Sequence, residues 1–149
     1  MQTWLQQGGT IDFTADAEDE TQAADALEAF RSDGMPMAQI TVSSDAYGSF
    51  PTLDEDGNVI GYGVGKPDSL LNTLRALVLQ RGWSLAEALP FFTANPARVY
   101  KFATKGQIAA GMDGDLLVLN PANLAVEYVF ARGRAVKTPT WIKKGMFEP

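Results

Sequence analysis

Apolar and polar positions follow two rhythms along this chain. Up to about residue 103, short β-prone runs alternate with stretches of helical spacing; beyond it, short apolar runs are cut by Gly and Pro turns. Residues 1–7, with Trp4 and Leu5, have helical character that Gly8-Gly9 breaks. Thr10-Ile11-Asp12-Phe13-Thr14 then alternates as a strand does. Asp16, Glu18, Asp19 and Glu20 precede Ala23, Ala24, Ala26, Leu27, Ala29 and Phe30, so acids fill the first turn of an expected helix that Gly34 stops. Ala38-Gln39-Ile40-Thr41-Val42 is the next strand, ending in Ser43-Ser44-Asp45. Strand, helix, strand is a βαβ unit and predicts a parallel sheet within an α/β fold.

Residues 50–65 turn irregular, with Asp54-Glu55-Asp56-Gly57-Asn58 as the tip of an expected hairpin. Pro67 opens a second helix with Leu70, Leu71, Leu74, Leu77 and Val78 on one face, and Gly82 ends it. Ser84-Leu85-Ala86-Glu87 is a capping box for a third helix, which must bend or stop near Pro90, and Asn95-Pro96 marks a further boundary. Leu116-Leu117-Val118-Leu119, the apolar run at 125–130 and Ala135-Val136 after the Arg132-Gly133 turn predict antiparallel strands. Two units follow, residues 1–103 and 104–149.

Composition narrows the chemistry. The 149 residues include no cysteine and no histidine, which excludes disulfides, thiolate zinc sites, Ser-His-Asp triads and a histidine base supplied by this polypeptide. Eighteen acidic against twelve basic side chains give a net charge of -6, which argues against nucleic acid or an anionic membrane as partner. No apolar run approaches the roughly 18 residues of a membrane span, and the N-terminus lacks the layout of a secretory signal, so a cytoplasmic location is expected.

Few residues stand out as candidate chemistry. Asp45 closes a strand at its C-terminal end, where parallel α/β sheets and barrels carry their sites; it is a metal ligand, a general base, or the cap of a turn. Ser49, four residues on, either holds a substrate oxyanion or is solvated. The acidic tip fails as a calcium loop, because counting from Asp54 the sixth and twelfth positions are Val59 and Gly65. Gly61-Tyr62-Gly63-Val64-Gly65-Lys66 lacks the Ser/Thr and helix of a phosphate loop. The cluster Asp16, Glu18, Asp19, Glu20 is accounted for by the helix dipole. No serine precedes a lysine by three residues, so a Ser-Lys nucleophile is excluded.

Taken in order, Gly9-Thr10-Ile11-Asp12-Phe13-Thr14, Ile40-Thr41-Val42-Ser43-Ser44-Asp45 with Gly48-Ser49, Asp56-Gly57-Asn58, Thr93-Ala94-Asn95-Pro96-Ala97, Lys105-Gly106-Gln107-Ile108 and residues 111–119 resemble the C-terminal part of the isoaspartyl dipeptidases, a branch of the amidohydrolase superfamily. The resemblance covers nearly the whole chain. It implies the last strands and helices of a metal-dependent TIM barrel, followed by antiparallel strands of a small β-sandwich that flanks it. It implies an enzyme with two zinc ions acting on isoaspartyl dipeptides. By resemblance Asp45 is the aspartate that binds a metal and carries the proton from the bridging hydroxide to the leaving amine, and Ser49 helps hold the substrate carboxylate. Such an ion pair generates hydroxide near neutral pH and polarises the scissile carbonyl.

The departure from that family is equally informative. Its metals are held by a His-x-His pair, a carboxylated lysine and two further histidines, and this chain has none of those histidines. A barrel takes about 250 residues, whereas two barrel strands are assignable here. The expectation is therefore the last third to half of the enzyme, beginning within a barrel helix, binding no zinc and inactive alone. Exposed strand edges and apolar faces predict self-association, with the strands near Ile11 and Ile40 pairing or packing across chains of a homodimer or larger homo-oligomer, or completion by a histidine-bearing N-terminal portion. The alternative is a non-catalytic assembly or small-molecule-binding module that keeps the fold without the chemistry.

Overall fold

A computed structural model describes residues 1–16, 19 and 21–145. After a short helix α1 (Gln2–Gln6), strands β1 (Ile11–Thr14) and β2 (Ile40–Ser43) pair in parallel, Ile11 opposite Ile40 and Thr14 opposite Ser43. Parallel strands need a crossover, and α2 (Gln22–Ser32) supplies it. Alternation gives this small sheet two faces. Ile11, Phe13, Ile40 and Val42 turn toward a core shared with Leu5, Leu27, Leu74, Leu77, Trp83 and Phe91, while Asp12, Thr14, Thr41 and Ser43 share the opposite, polar face. Phe13 meets Phe30 of α2 edge-on at 5.3 Å between ring centroids.

Helix α2 starts later than the acids suggest. Asp19 Oδ1 accepts from the backbone N–H and hydroxyl of Thr21 at 3.0 and 2.9 Å, so its side chain forms a turn ahead of the helix, and Asp25 is the acid of the first turn. Asp16 also precedes the helix; Glu18 and Glu20 lie outside the described residues. The second strand is likewise shorter than its apolar run, because Met37–Gln39 forms a 3-10 turn. Asn95, 5% exposed, fixes that corner by donating to the carbonyls of Met37 and Ile40 at 3.1 and 2.7 Å.

Strands β3 (Ser49–Leu53) and β4 (Val59–Val64) form the expected antiparallel hairpin. Helix α3 (Ser69–Arg75) runs into a π-helical turn, Ala76–Gln80, that the leucine periodicity did not reveal. Ser84 and Glu87 form the capping box of α4 (Leu85–Ala88), followed by a 3-10 turn over Pro90 and by α5 (Ala94–Val99). The boundary expected at Asn95-Pro96 lies two residues earlier, at Thr93 between the 3-10 turn and α5, and Pro96 sits in the first turn of α5, where its missing N–H has no intrahelical carbonyl to reach.

Beyond a long loop, β5 (Leu116–Leu119), β6 (Val126–Ala131), β7 (Arg134–Thr138) and β8 (Trp141–Ile142) make an antiparallel sheet in that order. Leu124, with φ of 53°, buries its side chain in the core of the preceding helices, and its carbonyl accepts from Arg75 Nη2 at 3.3 Å. Among the described residues no helix is long and apolar enough to cross a membrane.

Candidate functional site

The turn that follows β2 holds the candidate residues. Asp45 is exposed and has φ of 43°, and Tyr47, 83% exposed, has φ of 66°. Two non-glycine residues in the left-handed region within three positions carry a conformational cost of order 1–3 kcal/mol each, which the surroundings must offset. Hydrogen bonds do so: Gly48 N–H donates to the Asp45 carbonyl at 2.9 Å, Tyr47 N–H to the Gly65 carbonyl at 2.8 Å, and Gly65 N–H to the Gly48 carbonyl at 2.9 Å. The start of β3 and the end of β4 thereby close the turn on both sides.

Two glycines make this closure sterically feasible. A Cβ on Gly65 would lie 2.2 Å from the Asp45 carbonyl oxygen, and one on Gly48 would lie 2.8 Å from Asp45 Oδ1. Sequence reading did not assign this role to either: Gly48 entered only through the Gly48-Ser49 motif, and Gly65 only in the run 61–66 weighed as a phosphate loop. Ser49 begins β3, paired with Val64 and exposed, so it sits on the strand entered directly from the Asp45 turn.

Below the turn, on the polar face of the sheet, Asp12 accepts from two hydroxyls of the neighbouring strand: Thr41 Oγ1–H to Oδ1 and Ser43 Oγ–H to Oδ2, both at 2.5 Å. Asp12 was read only as part of a strand, although an acid at a strand's polar position opposite Thr41 is the visible signal.

Asp54, Asp113 and Asp115 are committed to local structure. Asp54 Oδ1 accepts from the backbone of Asn58 and Asp56 at 2.8 and 3.0 Å, bonds that favour its ionised form and hold its pKa below the usual carboxylate value. That accounts for the acidic tip as a hairpin turn. Lys105 bridges Asp113, at 2.8 Å, and Asp115, lowering both carboxyl pKa values, while hydrogen bonds to Asp113 and then Asp115 raise its own. Asp115 Oδ1 also accepts from Arg132 N–H at 2.7 Å, so this exposed clasp ties the loop after α5 to the sheet.

Among the described residues, no three acidic side chains are grouped so as to hold a metal ion, and histidine and cysteine are absent from the sequence. A zinc ion takes about four ligands. Asp45 by itself does not fit a two-zinc centre.

Comparison with known proteins identifies the family and the fold. A family model described as the amidohydrolase family matches residues 14–146. The β-aspartyl dipeptidase of the thermophilic, keratin-degrading Fervidobacterium islandicum AW-1, solved in complex with a β-Asp-Leu dipeptide, is 36% identical with a TM-score of 0.86, over 98% of this chain and 38% of that one. A second structure of a β-aspartyl dipeptidase from that organism gives 32% identity and a TM-score of 0.79, over 98% and 36%. The N-acetylglucosamine-6-phosphate deacetylase of Pasteurella multocida, at 15% identity, shares the fold with a TM-score of 0.59 over 85% of this chain and 36% of that one. The chain thus spans little more than a third of the length of these proteins. The fold expectation holds: this is the α/β architecture of part of an amidohydrolase TIM barrel, with the antiparallel strands after it.

Proposed function

Because the chain belongs to the amidohydrolase family, we propose that it is the C-terminal part of a β-aspartyl dipeptidase, hydrolysing isoaspartyl dipeptides when joined to a histidine-bearing portion and inactive by itself. The carrying observation is the Asp45 turn, a carboxylate held in the left-handed region at the C-terminal end of a barrel strand by Gly48 and Gly65. Barrel enzymes build their sites at that end of the strands. In this reading residues 1–103 are barrel and 104–149 the flanking strands, in a cytoplasmic enzyme.

Asp45 is the chain's contribution to catalysis and the one metal ligand it offers; the zinc ions, when held by the completed protein, supply Lewis acidity. Hydrolysis requires one proton to leave the attacking water and one to reach the departing amine, and an exposed carboxylate at the strand end is placed to carry it. Ser49, at the entrance to β3, is positioned to donate a hydrogen bond to a substrate carboxylate.

The test is to sequence the DNA upstream of the Met1 codon and express any in-frame extension that carries a His-x-His pair. The extended protein is expected to hydrolyse β-Asp-Leu, and Asp45→Asn to abolish turnover. An upstream stop codon with no histidine-bearing partner favours a non-catalytic module, and retained activity in Asp45→Asn removes the site assignment. Completion by further copies of the chain is tested by light scattering at micromolar concentration, where a monodisperse monomer excludes it.

A further inference from the structure

We propose that Asp12 is a positioning residue for Asp45, acting across the sheet through the hydroxyls of Thr41 and Ser43. The inference rests on the catalytic reading of Asp45 for its functional consequence, but not for its structural one. Asp12 pairs in register with Thr41, and its two oxygens divide between Thr41 and Ser43, the positions that share its face on β2. Successive residues on one face of a strand lie roughly 7 Å apart. A carboxylate that accepts from both draws them together and pins two consecutive pleats of β2 to β1.

Ser43 is where this brace reaches the site. It is the last residue of β2, two positions before Asp45, and its carbonyl accepts from Ala15 N–H at 2.7 Å. The strand end is therefore held by its backbone and by its hydroxyl, both from the β1 side. The far side of the Asp45 turn is held by Gly48 and Gly65. With the side toward β4 fixed by the hairpin, the remaining freedom of Asp45 is set by how firmly Ser43 is anchored, and Asp12 is the anchor.

The chemistry of the brace predicts a graded response. Both hydroxyls donate to Asp12, which needs two acceptor oxygens. Asparagine offers one acceptor and one donor, so one hydroxyl must reverse and accept; alanine offers neither. Thr41, 2% exposed, has little water to replace a lost partner.

Amide hydrogen exchange in the full chain tests this without reference to activity. In Asp12→Ala, exchange at Tyr47, Gly48 and Gly65 is expected to rise about tenfold or more, less in Asp12→Asn, while Trp83, whose amide donates to Leu77 far from the sheet's polar face, keeps its rate. Unchanged exchange around Asp45, or an equal rise at Trp83, overturns the proposal. Should Asp12→Ala fail to fold, Ser43→Ala removes only one hydroxyl and is expected to give the same local pattern. In the extended enzyme on β-Asp-Leu, Asp12→Asn is expected to lower kcat with KM unchanged; a rise in KM alone contradicts positioning of Asp45. If exchange rises locally but the unmutated extended enzyme hydrolyses nothing, the catalytic reading fails and the brace stands. If that enzyme is active and exchange is unmoved, the brace fails and the catalytic reading stands.

Discussion

Gly65→Ala probes the Asp45 turn through space alone, since the new methyl adds no charge or polarity. Its carbon would start 2.2 Å from the Asp45 carbonyl oxygen and 2.9 Å from both the Asp45 carbonyl carbon and Phe50 Cε2. Relieving the first contact needs a displacement of about 1 Å, because nonbonded carbon contacts settle only beyond roughly 3 Å. The atoms to be moved are backbone, tied by the Gly65–Gly48 and Tyr47–Gly65 hydrogen bonds at 2.9 and 2.8 Å. Overpacking of this kind costs about 1–3 kcal/mol, and weakening two hydrogen bonds adds about 0.5–1.5 kcal/mol each. A loss of about 2–6 kcal/mol in urea unfolding followed by circular dichroism is expected. Gly61→Ala is the matched control: its new carbon would have Thr52 Cβ at 4.0 Å as its nearest neighbour, so stability should change by less than about 1 kcal/mol. The steric account is refuted if Gly65→Ala unfolds within about 0.5 kcal/mol of the parent, or if Gly61→Ala costs as much. In the extended enzyme a 1 Å displacement of Asp45 is expected to reduce turnover by about 10²-fold.

Leu27 is fully buried between α2 and the sheet, so Leu27→Ala should cost about 2–5 kcal/mol in the same unfolding assay, against about 0.5 kcal/mol or less for Leu79→Ala, 48% exposed. Ser84→Ala removes the hydroxyl that accepts from Glu87 N–H at 3.2 Å and should cost about 0.5–2 kcal/mol, read as a lowered urea midpoint at unchanged slope. The Lys105 clasp should depend on pH at both ends. Asp113 and Asp115 have folded pKa values below 3.8, so their contribution is present above that value and lost as pH falls through the lowered ones. Lys105 is raised above 10.5, so its contribution is present below 10.5 and lost as pH rises through the raised value. The Arg132 amide resonance, whose N–H donates to Asp115, should shift at both extremes, and Lys105→Met should reduce the acid shift.

Local rules made most of the architecture legible. The alternation of Ile11-Asp12-Phe13-Thr14 with Ile40-Thr41-Val42-Ser43 fixes which face each side chain takes, and a parallel pairing follows once a helix lies between them. Ser84 and Glu87 announced their cap by spacing alone. The misreadings share a cause, side chains that satisfy backbone groups from a distance or ahead of time. Asp19 bonds Thr21 and delays α2; Asn95 holds Met37 and Ile40 and converts the start of a strand into a 3-10 corner. The first is a local Asx turn that competes with the helix start, whereas the second has no sequence spacing that marks it, joining residues 58 and 55 positions apart.

The site divides along the same line. Asp45 was visible because a carboxylate at the end of a strand is a local feature, and the ordered motifs around it tied that feature to a family. Gly48 and Gly65 act by lacking a side chain where backbone approaches backbone, a condition created only when β4 folds back onto the turn. Asp12 matters through two hydroxyls 29 and 31 positions away. Its partners become neighbours only after α2 has brought β2 alongside β1. The chemically conspicuous residue is therefore encoded locally, whereas the geometry that holds it is encoded in pairings between elements. The chain accordingly carries a strand end whose turn is shaped by backbone pairings that only the assembled elements create.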